Sequence, residues 1–396
     1  MPLSSASLYV HIPFCHKKCS YCDFFSVTQE NTNEGNLYRT VLSETLNQIK
    51  YFLVSCGFPE IETLYIGGGT PTSLPSGILN RFLSDVRNLI PRIHGEFTVE
   101  VNPENVTQEL LQILEKRGVT RLSMGVQSLN DNVLKILGRN TDSERTRSAL
   151  ACIDRHWPGQ KNFDIITGIP GQNMEEALSD IKSIAAFDPG HISLYSLTFE
   201  AGTPLYRKLN SGNIKRLPED VEIAMYEASL NLLESAGYNR YEVSNFSKTG
   251  FESVHNLRYW EMKPYFGSGP AGVSTIPGRS GPVRVENPKN IDLFLGGEEN
   301  KWGWVYEKIA PPSFFIEHLM MGFRLVRGIN VQRIKQVFSV DLQTVFPRTL
   351  HRWEPFLHQN GSFLALTRNG LNLLNSFLSD LLNEFDPLYI KTCTWP

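Results

Sequence analysis

The chain has 396 residues, 41% of them hydrophobic and 20% charged, with a formal net charge of -3. Such a composition excludes a disordered or fibrous chain, and the near-neutral charge argues against nucleic acid as the main partner. The N-terminus lacks a basic stretch followed by an apolar one, and no uncharged apolar run is long enough for a bilayer, so a cytoplasmic protein with reduced thiols is expected.

In chain order, the first half alternates strand-like and helix-like segments. Strands are predicted at Leu8 to Pro13, Thr63 to Gly68, Phe97 to Pro103, Arg121 to Gln127, Phe163 to Pro170 and His191 to Glu200. They are short, rich in β-branched and aromatic residues, and closed by Gly, Pro or Asn. Helical periodicity fills the gaps over Tyr38 to Leu53, Ile78 to Ile90, Thr107 to Gly118, Ser143 to Trp157 and Met174 to Phe187. Thr107 and Gly118 supply an N-cap and a C-cap signal. Six β-then-α units imply an α/β fold with parallel strands.

A helix is predicted at Pro218 to Ala236, followed by a Gly-, Pro- and aromatic-rich stretch from Gly237 to about Gly303. Within it, GSGPAGVSTIPGRSGP (Gly267 to Pro282) reads as loops, and HNLRYW (His255 to Trp260) falls in an irregular segment. Beyond Pro312 the order is helix, helix, helix, a short extended FLALT, then a helix ending near Glu384. That order suggests a small winged-helix-like module, a lid or docking domain. Eight Lys/Arg against six Asp/Glu from residue 311 onward is little support for DNA binding. The expected divisions are 1-210, a domain of βα units; 211-305, an irregular extension carrying HNLRYW; and 306-396, a helical C-terminal domain.

After the first strand comes CHKKCSYC, giving Cys15, Cys19 and Cys22 in a C-x3-C-x2-C spacing. A zinc site would want a fourth ligand at characteristic spacing, and no second Cys or His pair follows. Three thiolates suit a [4Fe–4S] cluster that leaves one iron without a protein ligand. Cys56, Cys152 and Cys393 are scattered and read as small buried or half-buried side chains. The cysteine spacing, with Tyr21 before the last Cys, resembles the radical S-adenosylmethionine superfamily. That resemblance implies a partial (βα)6 barrel, with the cluster loop at the C-terminal strand ends, where barrel sites lie. It also implies a free iron that chelates S-adenosylmethionine.

GGGTPT (Gly67 to Thr72) lacks the third Gly of a dinucleotide fingerprint and reads as a close backbone approach to a ligand. It joins YVHIPFC, EVNP, GVQS, GRNTD and FDIITGIPGQ in an order resembling the HemN/HemW family of oxygen-independent coproporphyrinogen III oxidases and their haem-chaperone relatives. The resemblance covers residue 8 to at least 275. It implies that Tyr9, Tyr21, Gly68, Gly69, Thr70, Glu100, Gln127, Arg139 and Asp164 line the S-adenosylmethionine pocket.

Three features separate the branches of that family. The oxidases carry a fourth cysteine two residues after the third, where this chain reads Cys22-Asp23-Phe24. They also carry an N-terminal extension, whereas the cluster motif here starts at residue 15. HNLRYW resembles the signature of the haem-chaperone branch, which implies haem binding at His255. The chaperone reading implies haem or a related tetrapyrrole as cargo, a haem-acceptor protein, an electron-donor protein, and peripheral membrane contact during delivery. The rival is the oxidase itself, which decarboxylates coproporphyrinogen III in porphyrin biosynthesis. The chain departs from its relatives at GSGPAGVS, where they have a compact Gly-rich turn.

Overall fold

The computed structural model describes residues 4–28, 34–57, 59–278, 281–296 and 301–395. Six parallel strands lie side by side in chain order: β1 (Ser5–Ile12), β2 (Glu60–Gly68), β3 (Phe97–Val101), β4 (Arg121–Gln127), β5 (Gln160–Thr167) and β6 (His191–Ser196). Helices α1 (Glu34–Ser55), α2 (Ser76–Leu89), α3 (Gln108–Lys116), α4 (Asp131–Leu137) with α5 (Ser143–His156), and α6 (Met174–Ala185) form the crossovers. The caps behave as local chemistry requires. Thr107 accepts from the Leu110 amide, and Asn173 with Glu176 closes a capping box on α6.

Side chains alternate across a strand, so each strand presents two faces. One carries Ile66, Val99, Leu122, Met124, Phe163, Ile165, Ile192 and Leu194 into a single buried core, each side chain contributing roughly 1.5–3 kcal/mol. The other carries Tyr65, Glu100, Arg121, Ser123, Asn162, Asp164 and Ser193, all lining one cavity. Residues from five neighbouring strands meet around that space, so the sheet curls about a polar interior. This is the expected partial (βα)6 arrangement, and it is left open at both ends.

The segment from Gly237 to Gly303 is more regular than its composition suggests. Short strands β7 (Asn239–Arg240) and β8 (Asn245–Ser247) add to the β6 edge. On the far side β9 (Tyr265–Ser268) pairs parallel to β1 and continues into a meander of β10 (Val273–Gly278), β11 (Gly281–Glu286) and β12 (Val305–Lys308). The loops expected over Gly267 to Pro282 are thus largely strands, except Arg279 and Ser280, which lie outside the described residues. Pairing to β1 supplies hydrogen bonds that local propensity does not reveal. HNLRYW likewise forms a helix, α9 (Val254–Trp260), capped by the Ser253 hydroxyl on the Asn256 amide. Two further helices, α7 (Pro204–Asn210) and α8 (Glu219–Ser235), precede it.

A second core gathers Phe314, Phe315, Phe323, Phe338, Phe346, Phe377 and Leu381 from the C-terminal helices. Beside it Ile329–Asn330, Phe363–Leu366 and Leu357–Asn360 form a three-stranded antiparallel sheet, the wing of the expected winged-helix-like module. His318 belongs to this unit, and burial holds its imidazole down to about 4. Arg324 joins the two parts. It stacks 4.5 Å over the Trp260 ring and lies 3.7 Å from the fully buried Glu242 carboxylate. Among the described residues no helix is long and apolar enough to cross a membrane.

Candidate active site

The cysteine loop leaves the C-terminal end of β1 and is pinned by main-chain bonds. The Ser20 amide donates to the Leu137 carbonyl (2.8 Å), and the Leu205 amide donates to the Ser20 carbonyl (2.8 Å). Gly138, the left-handed C-cap of α4 at φ 69°, lets the loop sit close, since a Cβ there would fall 2.4 Å from the Ser20 hydroxyl.

Cys15, Cys19 and Cys22 are half-buried free thiols. Thr70 Oγ1 lies 3.7 Å from Cys15 Sγ, and an Arg139 Nη donates to Cys19 Sγ at 3.4 Å. Burial pushes the Cys15 thiol up and that of Cys22 to about 11, with mutual repulsion among the three sulfurs adding to both. A bound cation is what would draw those protons off. Among the described residues no three His, Cys, Asp or Glu side chains converge closely enough for a single metal ion. Cys56, Cys152 and Cys393 are half-buried free thiols too.

Arg139 is anchored by its other Nη, which donates to the Gly125 carbonyl (2.7 Å) and to Asn102 Oδ1 (3.2 Å). Its Nε is buried without a protein partner, as is Gln127 Oε1. Gln127 also holds φ at 68°, a conformation costing a non-glycine residue about 1 kcal/mol or more, found mostly where function over-determines the backbone. Buried polar atoms left unpartnered beside a cavity are receptive to a ligand.

That cavity has a volume of about 450 Å³ and runs from Tyr21, Cys22 and Phe24 across the sheet to Ser253 and Asn256. Glu100 stands in its wall, accepting from the Tyr65 hydroxyl (2.7 Å) and the Gly68 amide (3.1 Å), with burial pushing its carboxyl up to about 7. Asp164 accepts from Asn162 Nδ2 (2.8 Å) and is also pushed up by burial. Gly68 has φ 109°, open to glycine at little cost. The glycine run also serves internal packing, because a Cβ on Gly67 would meet the Glu100 carboxyl at 2.6 Å.

Of the residues expected at the ligand, the structure puts Tyr21, Cys22, Glu100, Gln127 and Asp164 on the cavity wall. Gly68, Gly69, Thr70 and Arg139 gather behind the cysteine loop, where the Gly69 amide donates to Ile12 and the Thr70 amide to Phe14. Tyr9 faces inward beside Tyr65, its hydroxyl 3.1 Å from His11 Nδ1.

His255 differs from expectation. It is 1% exposed, and both ring nitrogens are engaged, Nδ1 with the Thr63 hydroxyl (2.8 Å) and Nε2 with the Tyr259 hydroxyl (2.9 Å). Thr63 passes its own proton to Ser7, so Nδ1 donates to Thr63 and the Nε2 lone pair is taken by Tyr259. The ring also packs on Tyr65 at 5.1 Å between centroids. In this conformation the imidazole has no lone pair for an iron and supports the Tyr65–Glu100 wall instead. Helix α9 buries its first turn against β2, a direction no hexapeptide discloses.

Polar wall residues that motif reading passes over include Tyr65, Arg121, Asn162, His191 and Ser193. The available clue was period-two alternation in TLYIG, FTVEV, RLSMGV, NFDIIT and HISLYS, which puts them on one face with Glu100 and Asp164.

Residues 9–184 match the radical SAM superfamily, and residues 315–373 match the HemN C-terminal domain. The chain is 32% identical over 395 residues to the heme chaperone HemW of Bacillus subtilis (strain 168), covering 96% of this chain and 99% of that protein. It is also 32% identical over 400 residues to the mitochondrial radical S-adenosyl methionine domain-containing protein 1 of Danio rerio, covering 97% and 88%. Among solved structures it is similar to the coproporphyrinogen III oxidase HemN of Escherichia coli, a radical SAM enzyme. The TM-score there is 0.81 at 20% identity, covering 96% of this chain and 91% of that one.

Proposed function

The chain belongs to the HemW family of the radical S-adenosylmethionine superfamily, and from that premise we propose that it is a haem chaperone which passes haem to an acceptor protein. The observation that carries this reading is likeness to heme chaperones along nearly the whole chain. It is joined by Cys22-Asp23-Phe24, which offers no fourth cysteine to the loop.

Cys15, Cys19 and Cys22, three half-buried free thiols of one loop, would hold a [4Fe–4S] cluster and leave one iron without a protein ligand. Bound there with S-adenosylmethionine, the cluster supplies one-electron reduction of the sulfonium. Arg139 and the Thr70 hydroxyl would offset the negative charge of the ligated sulfurs. Gln127 offers an unpartnered amide to the ligand, while Glu100 and Asp164 offer acceptors for hydroxyl or ammonium groups. Tyr21 and Phe24 add aromatic surface to the cavity wall beside the cysteine loop.

The test is haem transfer. Anaerobically reconstituted protein is loaded with hemin and mixed with an apo haem protein, and the acceptor's Soret band is followed. Saturable one-to-one loading and transfer are expected; absence of saturable hemin binding would sink the reading. The fold shared with HemN favours one second reading, oxidation of coproporphyrinogen III. Protoporphyrinogen formation with a supplied reductant separates the two, and robust turnover would favour the oxidase.

A further inference from the structure

Helix α9 has two ends with different surroundings. His255, in the first turn, is sealed into the sheet, whereas Trp260, at the end, opens onto a groove of about 300 Å³ against the C-terminal domain. The groove wall is aromatic, with Trp260, Phe363 and Trp395, and Trp395 is fixed by donating from Nε1 to the Met262 carbonyl at 2.9 Å. At its rim Lys263 and Arg333 are exposed cations with no carboxylate partner among the described residues. Glu261 and Arg327 are also present but pair with each other.

His318 faces this groove from the helix Pro311–Gly322. Its Nδ1 is 2.8 Å from the Phe314 carbonyl. A carbonyl can only accept, so Nδ1 carries the proton and Nε2 carries the lone pair. No residue described takes that lone pair. The ring is held edge-on by Phe314 (4.4 Å) and Phe338 (5.0 Å). An imidazole whose far nitrogen is tied to a backbone carbonyl, in a fixed ring orientation, is the usual arrangement of a metal-ligating histidine.

We propose that His318 Nε2 ligates the iron of haem in this groove, with Trp260, Phe363 and Trp395 against the macrocycle and Lys263 and Arg333 at the propionates. The assignment rests on the haem-chaperone reading above. Apolar walls, a neutral imidazole and two unpaired cations complement a flat dianionic metalloporphyrin. It also gives HNLRYW a part in haem handling through Trp260 rather than through His255.

The experiment is anaerobic titration of the full-length reconstituted protein with ferric hemin, recording affinity and Soret position. Wild type should bind saturably with an imidazole-ligated spectrum. His318→Ala should lose that spectrum and bind at least tenfold more weakly, with added imidazole restoring the band. The double variant Lys263→Glu/Arg333→Glu, at exposed positions that leave the fold intact, should weaken binding several-fold while keeping the spectrum. His255→Ala should retain the imidazole-ligated band. Wild-type spectrum and affinity in His318→Ala, or loss of the band in His255→Ala alone, would overturn the assignment while leaving the chaperone reading standing. No saturable binding by wild type would overturn both.

Discussion

Glu100 is pulled in two directions: burial lifts its carboxyl to about 7, against an ordinary 4.5, while Tyr65 and Gly68 hold it down. A folded chain that keeps a proton the unfolded chain has released loses stability as pH rises through that window. Glu100→Gln removes the titration. In iron-free protein, thermal unfolding should therefore show the variant gaining on wild type between about pH 4.5 and 7. A constant difference across that range would refute the assignment. At this scale the cysteines were legible because ligand spacing is a local property of the chain. Glu100 and Asp164 were legible through their flanking strings. The fate of His255 was not, since it depends on Thr63, Tyr65 and Ser7 being brought to α9 by the sheet.

Helix α4 shows how an element can govern a site it does not enter. Its C-cap, Gly138, takes a left-handed conformation and leaves no room for a side chain over Ser20. Gly138→Ala should cost about 1–2 kcal/mol from the backbone alone. Displacement of the loop should also lower iron bound per chain after anaerobic reconstitution, read by iron assay beside thermal melts. Normal iron content together with the expected loss of stability would confine the role of Gly138 to the helix. The six parallel strands were readable from β-branched runs closed by turn residues. Helix α4 was not, being seven residues inside a string whose Asn130 cap looks like any loop asparagine. The meander from β9 to β12 was obscured by Gly and Pro, whose local preferences were overridden by pairing along β1.

At the scale of the molecule, Arg324 and Glu242 fasten the second core to the first. Glu242 is fully buried, and removing Arg324 takes an ion-pair partner from its carboxylate. Arg324→Ala should cost on the order of 3 kcal/mol, seen as a lower urea midpoint. Adding Glu242→Gln should recover part of it, and strict additivity would exclude coupling between the pair. The winged-helix order was visible in the sequence, but its seam with the barrel was not, because Glu242, Trp260 and Arg324 meet only in three dimensions. Helix α9 lies at that seam, with Asn256 on the 450 Å³ cavity and Trp260 on the groove. Seven residues are too few to absorb a displacement at one end without passing it to the other. Occupancy of the two spaces is thereby bound by thermodynamic reciprocity: whatever factor a ligand in one exerts on affinity in the other is returned in equal measure.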